Sequence, residues 1–125
     1  MKKIKVLVTC ALAVGVLSAI SLTSLAAITK VNFNLYYTGT SVGSVLYRES
    51  AISANSKKYY AKCTDVYNKG QIQIHVPGAT DYTLDKNQSH NFIRQSSTSG
   101  NMTVSGSLIR SASGSCSAAG YVEKK

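Results

Sequence analysis

Alternation with a period of two dominates the chain beyond its first thirty residues, and it restricts the fold more than any other feature. Val31, Phe33, Leu35 and Tyr37 fall on one face of an extended segment, with Asn32, Asn34 and Tyr36 on the other. Ile72, Ile74 and Val76 alternate with Gln71, Gln73 and His75, and Met102, Val104, Gly106 and Leu108 with Thr103, Ser105 and Ser107. Successive side chains of a strand point to opposite faces, so each pattern describes a strand with one dry and one wet side. No stretch beyond residue 27 keeps the i, i+3, i+4, i+7 spacing of a helix.

Turn residues interrupt these runs at short intervals: Thr38-Gly39-Thr40-Ser41, Asn68-Lys69-Gly70, Pro77-Gly78, Lys86-Asn87-Gln88-Ser89 and Ser96 to Asn101. Gly70 is expected to take the left-handed conformation of a three-residue hairpin. The punctuation predicts about seven strands, at 30–37, 43–48, 58–67, 71–76, 80–85, 90–95 and 102–110. Many short strands in about 100 residues predict an all-β fold, a small antiparallel sandwich or barrel. Ser111 to Gly120 is a Ser/Ala/Gly-rich stretch that reads as floppy on its own. Tyr121 and Val122 could add a last short strand.

The first residues carry a different pattern. Lys2, Lys3 and Lys5 precede an uncharged, mostly aliphatic run from Val6 to Ile20, and Ser24 and Ala26 stand at −3 and −1 of a cut between Ala26 and Ala27. That is the layout of a cleaved secretory signal, expected over 1–26, which leaves a single exported domain at 27–125. The alternative, a retained membrane anchor, lacks a charged stop flank. Cys10 follows Thr9 early in the apolar run, so it reads as part of the leader and not as a lipidated cysteine. Loss of the leader lowers the formal net charge from +9 to +6. That charge favours anionic partners at long range, although it also serves solubility alone.

Cys63 and Cys116 remain after processing. In an exported chain an even pair is most simply a disulfide, with free thiols as the alternative in a reducing folding environment. A bridge closing that loop would contribute roughly 4 kcal/mol by the chain-entropy model. It would also tether the Ser/Ala/Gly-rich tail.

Catalytic signals are weak. Gly39-Thr40-Ser41-Val42-Gly43 spells G-x-S-x-G, with Asp81 and His90 following in triad order, but a nucleophile elbow needs a strand–turn–helix within a large α/β sheet. His75 and His90 lack partners at metal-ligand spacing, so no metal is expected. Asp81 and Asp85 bracket a short segment in the manner of turn aspartates. The chain therefore reads as a non-enzyme with no small-molecule cofactor. Asn87-Gln88-Ser89 and Asn101-Met102-Thr103 fit the glycosylation pattern, but the leader looks bacterial and predicts both bare.

One surface cluster has a physical direction. In Lys57-Lys58-Tyr59-Tyr60-Ala61-Lys62, a strand would place Lys58, Tyr60 and Lys62 on one face and Tyr59, Ala61 and Cys63 on the other. Ammonium groups around a phenol ring suit an anionic polymer or a sugar. The competing explanation is an edge strand that uses lysines to discourage pairing with another chain. Nucleic-acid binding would need basic–aromatic interleaving across a whole sheet face, which a single strand does not supply.

The Met1-Lys2-Lys3 leader, the Tyr/Thr/Ser-rich β part, the Gln71–Val76 strand before a turn and the Ser-rich tail together resemble small exported β-sandwich proteins of Firmicutes, some grouped with bacteriocin-like peptides. The resemblance implies a small exported sandwich and transfers no functional residue. The combined expectation is a secreted, non-enzymatic binding domain at the cell surface or in the medium. Its partners would be anionic wall polymers or membrane surfaces, contacted by Lys57, Lys58, Tyr60 and Lys62. A bacteriocin-like effector is the alternative.

Overall fold

A computed structural model describes residues 28–40 and 43–125. The expected leader, its cleavage site, Cys10 and Ser41 lie outside the described residues. Eight strands follow in order: β1 (Lys30–Tyr37), β2 (Tyr47–Ser53), β3 (Lys58–Tyr67), β4 (Gly70–His75), β5 (Tyr82–Leu84), β6 (Ser89–Ile93), β7 (Asn101–Arg110) and β8 (Cys116–Lys124). They form two separate four-stranded sheets, which we call A (β1-β8-β3-β6) and B (β2-β7-β4-β5), and every pairing is antiparallel. The expected all-β sandwich is what the chain forms, and the sheets do not close into a barrel.

The connectivity is that of a long hairpin rolled up. β1 pairs with β8, β2 with β7, β3 with β6 and β4 with β5, and the roll is sealed where β8 meets β3 and β7 meets β4. Only β4 and β5 are consecutive strands of one sheet. This strand order defines a jelly roll.

The alternating patterns become the core as anticipated. Val31, Phe33 and Leu35 from β1, Tyr59, Ala61 and Cys63 from β3, Ile72 and Ile74 from β4, and Val104 and Leu108 from β7 are buried between the sheets. Each large aliphatic or aromatic side chain removed from water contributes about 1.5–3 kcal/mol. Gly106 faces inward among them. A Cβ there would lie 3.1 Å from the Phe33 ring and 3.2 Å from Ile72 Cδ1, so the missing side chain makes room for the phenyl group.

Four expectations are corrected. The strand expected at 43–48 begins instead at Tyr47 and runs to Ser53, while Val45 makes only an isolated bridge to Tyr36. β2 lies at the rim of sheet B, where Ile52 and Ser53 alone are fully buried, so its sequence shows little alternation. Gly70 is not left-handed: Asn68 (φ 52°) and Lys69 (φ 60°) are, and they make the sharp reversal from β3 into β4. Glycine is needed at 70 because a Cβ would collide with the Ser117 carbonyl.

The tail from Ser111 supplies an eighth full strand. β8 lies inside sheet A between β1 and β3, with Cys116, Ala118, Gly120 and Val122 turned into the core. Its small residues suit the crowding, since a Cβ on Gly120 would stand 2.5 Å from the Lys62 carbonyl oxygen.

The expected Cys63–Cys116 bridge is absent, and both residues are buried free thiols. Cys63 lies opposite Gly120, whereas Cys116 is further along β8, paired with Tyr37 of β1. Four residues of strand separate positions 116 and 120, about 13 Å at 3.3 Å per residue. A disulfide needs Cα atoms within about 7 Å. Backbone pairing on both sides of β8 does what the bridge was expected to do.

Candidate binding face

The predicted phase of β3 holds. Lys58 is exposed and Tyr60 and Lys62 are half-buried on the outer side of sheet A, while Tyr59, Ala61 and Cys63 are buried. Lys57 precedes the strand and takes no part in the ring and ion-pair contacts of the face; its carbonyl accepts the Arg94 N–H at 2.7 Å.

β3 is not an edge strand. It is hydrogen-bonded to β8 on one side and to β6 on the other, so protection of a free edge does not account for Lys58 and Lys62.

Register assembles a larger surface than the local sequence showed. One row across the sheet reads Lys30, Glu123, Tyr60 and Asn91; the next reads Asn32, Tyr121, Lys62 and Ser89. The Tyr60 and Tyr121 rings are 6.1 Å apart between centroids and tilted by 47°. The Lys30 ammonium lies 4.2 Å from the Tyr121 ring centre and that of Lys125 lies 5.2 Å from the Tyr60 ring centre. An ammonium within about 6 Å of an aromatic face is attracted by the ring quadrupole.

Lys30, Lys58, Lys62 and Lys125 thus surround two phenol rings. Glu123 is the carboxylate among them, and the Lys125 ammonium donates to it at 2.7 Å. That hydrogen bond holds the Glu123 carboxyl below its ordinary pKa and raises Lys125. The pair is therefore charged throughout the neutral range. Sequence reasoning found the β3 half and missed Lys30, Tyr121 and Lys125. The phase of β1 already marks Lys30 as outward, but the local signal reaches only a short strand at Tyr121 and Val122 and does not show how β8 registers with β3.

The outer face of sheet B differs. Gln71, Gln73 and His75 of β4 stand beside Ile109, Ser107 and Ser105 of β7, with Tyr47 and Glu49 of β2 beyond. Its charged groups are tied locally: His75 Nδ1 lies 2.6 Å from Asp81, Gln71 donates to Asp85 at 2.6 Å, and the Tyr47 hydroxyl donates to Glu49 at 2.7 Å.

Of the residues weighed for catalysis, the two that are described, Asp81 and His90, do not pair. Asp81 bonds His75 and not His90; His90 stacks on Tyr82 (3.8 Å between centroids) and meets Phe92 edge-on. Among the described residues, no three His, Cys, Asp or Glu side chains gather as a metal site requires. Burial pushes the Cys63 thiol above its ordinary pKa, the reverse of what a nucleophile needs.

Arg94 looks functional by its chemistry and is structural by its contacts. It is 8% exposed, donating through Nε to the Pro77 carbonyl and through Nη1 to those of Ala54 and Ser56 at 2.8–3.2 Å. These bonds fasten two loops at one end of the sandwich.

The molecule is accordingly a jelly-roll β-sandwich with one basic, tyrosine-bearing outer face. Comparison with known proteins adds no family: no family model, no curated protein and no solved structure matches the chain.

Proposed function

We propose that this protein is an exported, non-enzymatic binding domain that holds anionic polymers, such as the phosphate-rich polymers of a bacterial wall, against the outer face of sheet A. The observation that carries the reading is the grouping of Lys30, Lys58, Lys62 and Lys125 around Tyr60 and Tyr121, on a face whose two carboxylates, Glu123 and Asp65, are each paired with a lysine. Exposed ammonium groups on a flat sheet track a chain of phosphates by charge, and ring faces add contact with the units between them. Sequence supports the location: the signal-like leader sends the domain to where such polymers are found. A jelly roll by itself favours no particular ligand.

The test is a pull-down of the purified protein on sacculi with and without their teichoic acid, across a salt series. Retention should require the teichoic acid and fall steeply as salt shortens the screening length from about 30 Å at 0.01 M to about 8 Å at 0.15 M. Equal retention on stripped sacculi, or none at low salt, contradicts the reading.

A further inference from the structure

The two sheets meet along one flank where edge strand β1 runs beside edge strand β2. The seam is stitched at both ends. Tyr36 and Val45 exchange two backbone hydrogen bonds of 2.8 Å, and the Ser53 N–H donates to the Ile28 carbonyl at 2.8 Å. Between these points no backbone bond joins β1 to β2. Because Tyr36 directs both its backbone groups across this edge, Asn34 and Asn32, which share its phase, direct theirs there too.

The gap is a cleft of about 310 Å³ lined by Asn32, Phe33, Asn34, Arg48, Glu49 and Ser50. That volume is at the small end of the range of about 300–1,000 Å³ for ligand pockets. Apart from Phe33 its lining residues are polar, and they include one charge of each sign.

Arg48 distinguishes the cleft. Arg94 is bonded to three carbonyls, and Arg110 lies 3.7 Å from the centre of the Tyr37 ring. Among the described residues the Arg48 guanidinium has no hydrogen bond, ion pair or ring contact, and neither do the Asn32 and Asn34 carboxamides. An inward-phased charge on an edge strand deters pairing by itself. Here, however, it lines a cavity beside two unengaged carboxamides and open main-chain groups.

A guanidinium presents a planar fork that matches a carboxylate. Glu49 is next to it, its Oε1 taken by the Tyr47 hydroxyl and its Oε2 left for a ligand, so a ligand that is only anionic would meet repulsion, and a ligand that is only cationic would meet Arg48. We propose that the cleft binds a small zwitterion, an α-amino acid or dipeptide with free ends. Its carboxylate sits on Arg48 and its ammonium on Glu49, and the Asn32 and Asn34 amides fill the remaining hydrogen bonds. This site borders the sheet A face at Asn32 and does not depend on the function proposed for that face.

The test uses the ¹⁵N-labelled protein titrated with L-alanyl-L-alanine, its N-acetylated form and its C-terminal amide. Saturable shifts are expected at the amides of Asn32 to Asn34 and Arg48 to Ser50 with the free dipeptide. Blocking either end should weaken binding at least tenfold. Arg48→Gln and Glu49→Gln should each do the same while leaving spectra outside the cleft unchanged. No saturable shift at these amides, or equal binding of the blocked peptides, overturns the proposal. An undiminished affinity in Arg48→Gln also overturns it.

Discussion

The outer faces of the two sheets share one architecture and differ in almost every surface property. Sheet A presents four ammonium groups and two mutually tilted phenol rings, each with a cation–ring contact. Sheet B exposes amides and hydroxyls, and its carboxylates are bonded locally to His75, Gln71 and Tyr47. The charge of +6 expected after processing is thus unevenly distributed, and the excess lies where aromatic rings could use it. A fold-level description would treat the faces as equivalent; the side chains do not.

Arginine 94 sets the largest expected effect and separates structural cations from spare ones. Arg94→Ala removes the side-chain donor to three carbonyls, of which only Ala54 keeps another, the Thr98 N–H, and should cost about 2–4 kcal/mol, read as a lowered urea midpoint. Binding by the fraction still folded should be unchanged. Gly106→Ala pushes a methyl group against Phe33 and Ile72 and should cost about 1–3 kcal/mol by overpacking. Stability equal to wild type would mean that the sheets are not packed as described.

Charge reversal addresses the comparison itself. Lys58→Glu with Lys62→Glu should reduce retention on teichoic-acid-bearing sacculi at least tenfold, about 1.4 kcal/mol, with the unfolding midpoint little changed. The matching pair Gln71→Glu with Gln73→Glu on sheet B should reduce it far less. Equal losses would show that only net charge matters and erase the distinction between the faces.

Smaller effects follow. Glu123→Gln removes the carboxylate that stands among the four lysines and should tighten polyanion binding by a few-fold at most, as surface charges are screened. The depressed Glu123 pKa means that wild type should gain this same increment only below the usual carboxylate range, so the variants should converge as pH falls through it. For Cys63 the sign is opposite. Its raised pKa favours the fold fully below the unfolded thiol value, about 8.5, and that contribution is lost as pH rises through the folded value. Cys63→Ala should flatten this part of the alkaline stability profile. A reductant should not change the melting temperature, because no bridge stands between Cys63 and Cys116.

Legibility in the sequence followed how much each strand owes to its own side chains. β1, β3, β4 and β7 alternate because one face of each packs in the core, and their phase was readable throughout. β2 was misplaced because a rim strand with Ile52 as its one buried aliphatic carries almost no alternation. The first half of β8 reads as floppy on its own because Ser, Ala and Gly dominate Ser111 to Gly120, which leaves only Tyr121 and Val122 with a strand signal. The same small residues let it lie between β1 and β3 with Gly120 against the Lys62 carbonyl and Ser117 against Gly70. The cysteine inference failed on register, a long-range property that spacing does not encode. The basic face was half visible for the same reason: β3 holds one half in contiguous sequence, and only β1–β8–β3 pairing brings the other beside it.

The most direct measurement maps the contact. Titrating the ¹⁵N-labelled protein with a short polyglycerol phosphate should shift the amides of residues 30–34, 58–62 and 119–125 and leave those of 71–75 and 101–107 in place. Shifts centred on the Gln71–His75 strand, or none at low salt, would contradict the assignment of the basic face.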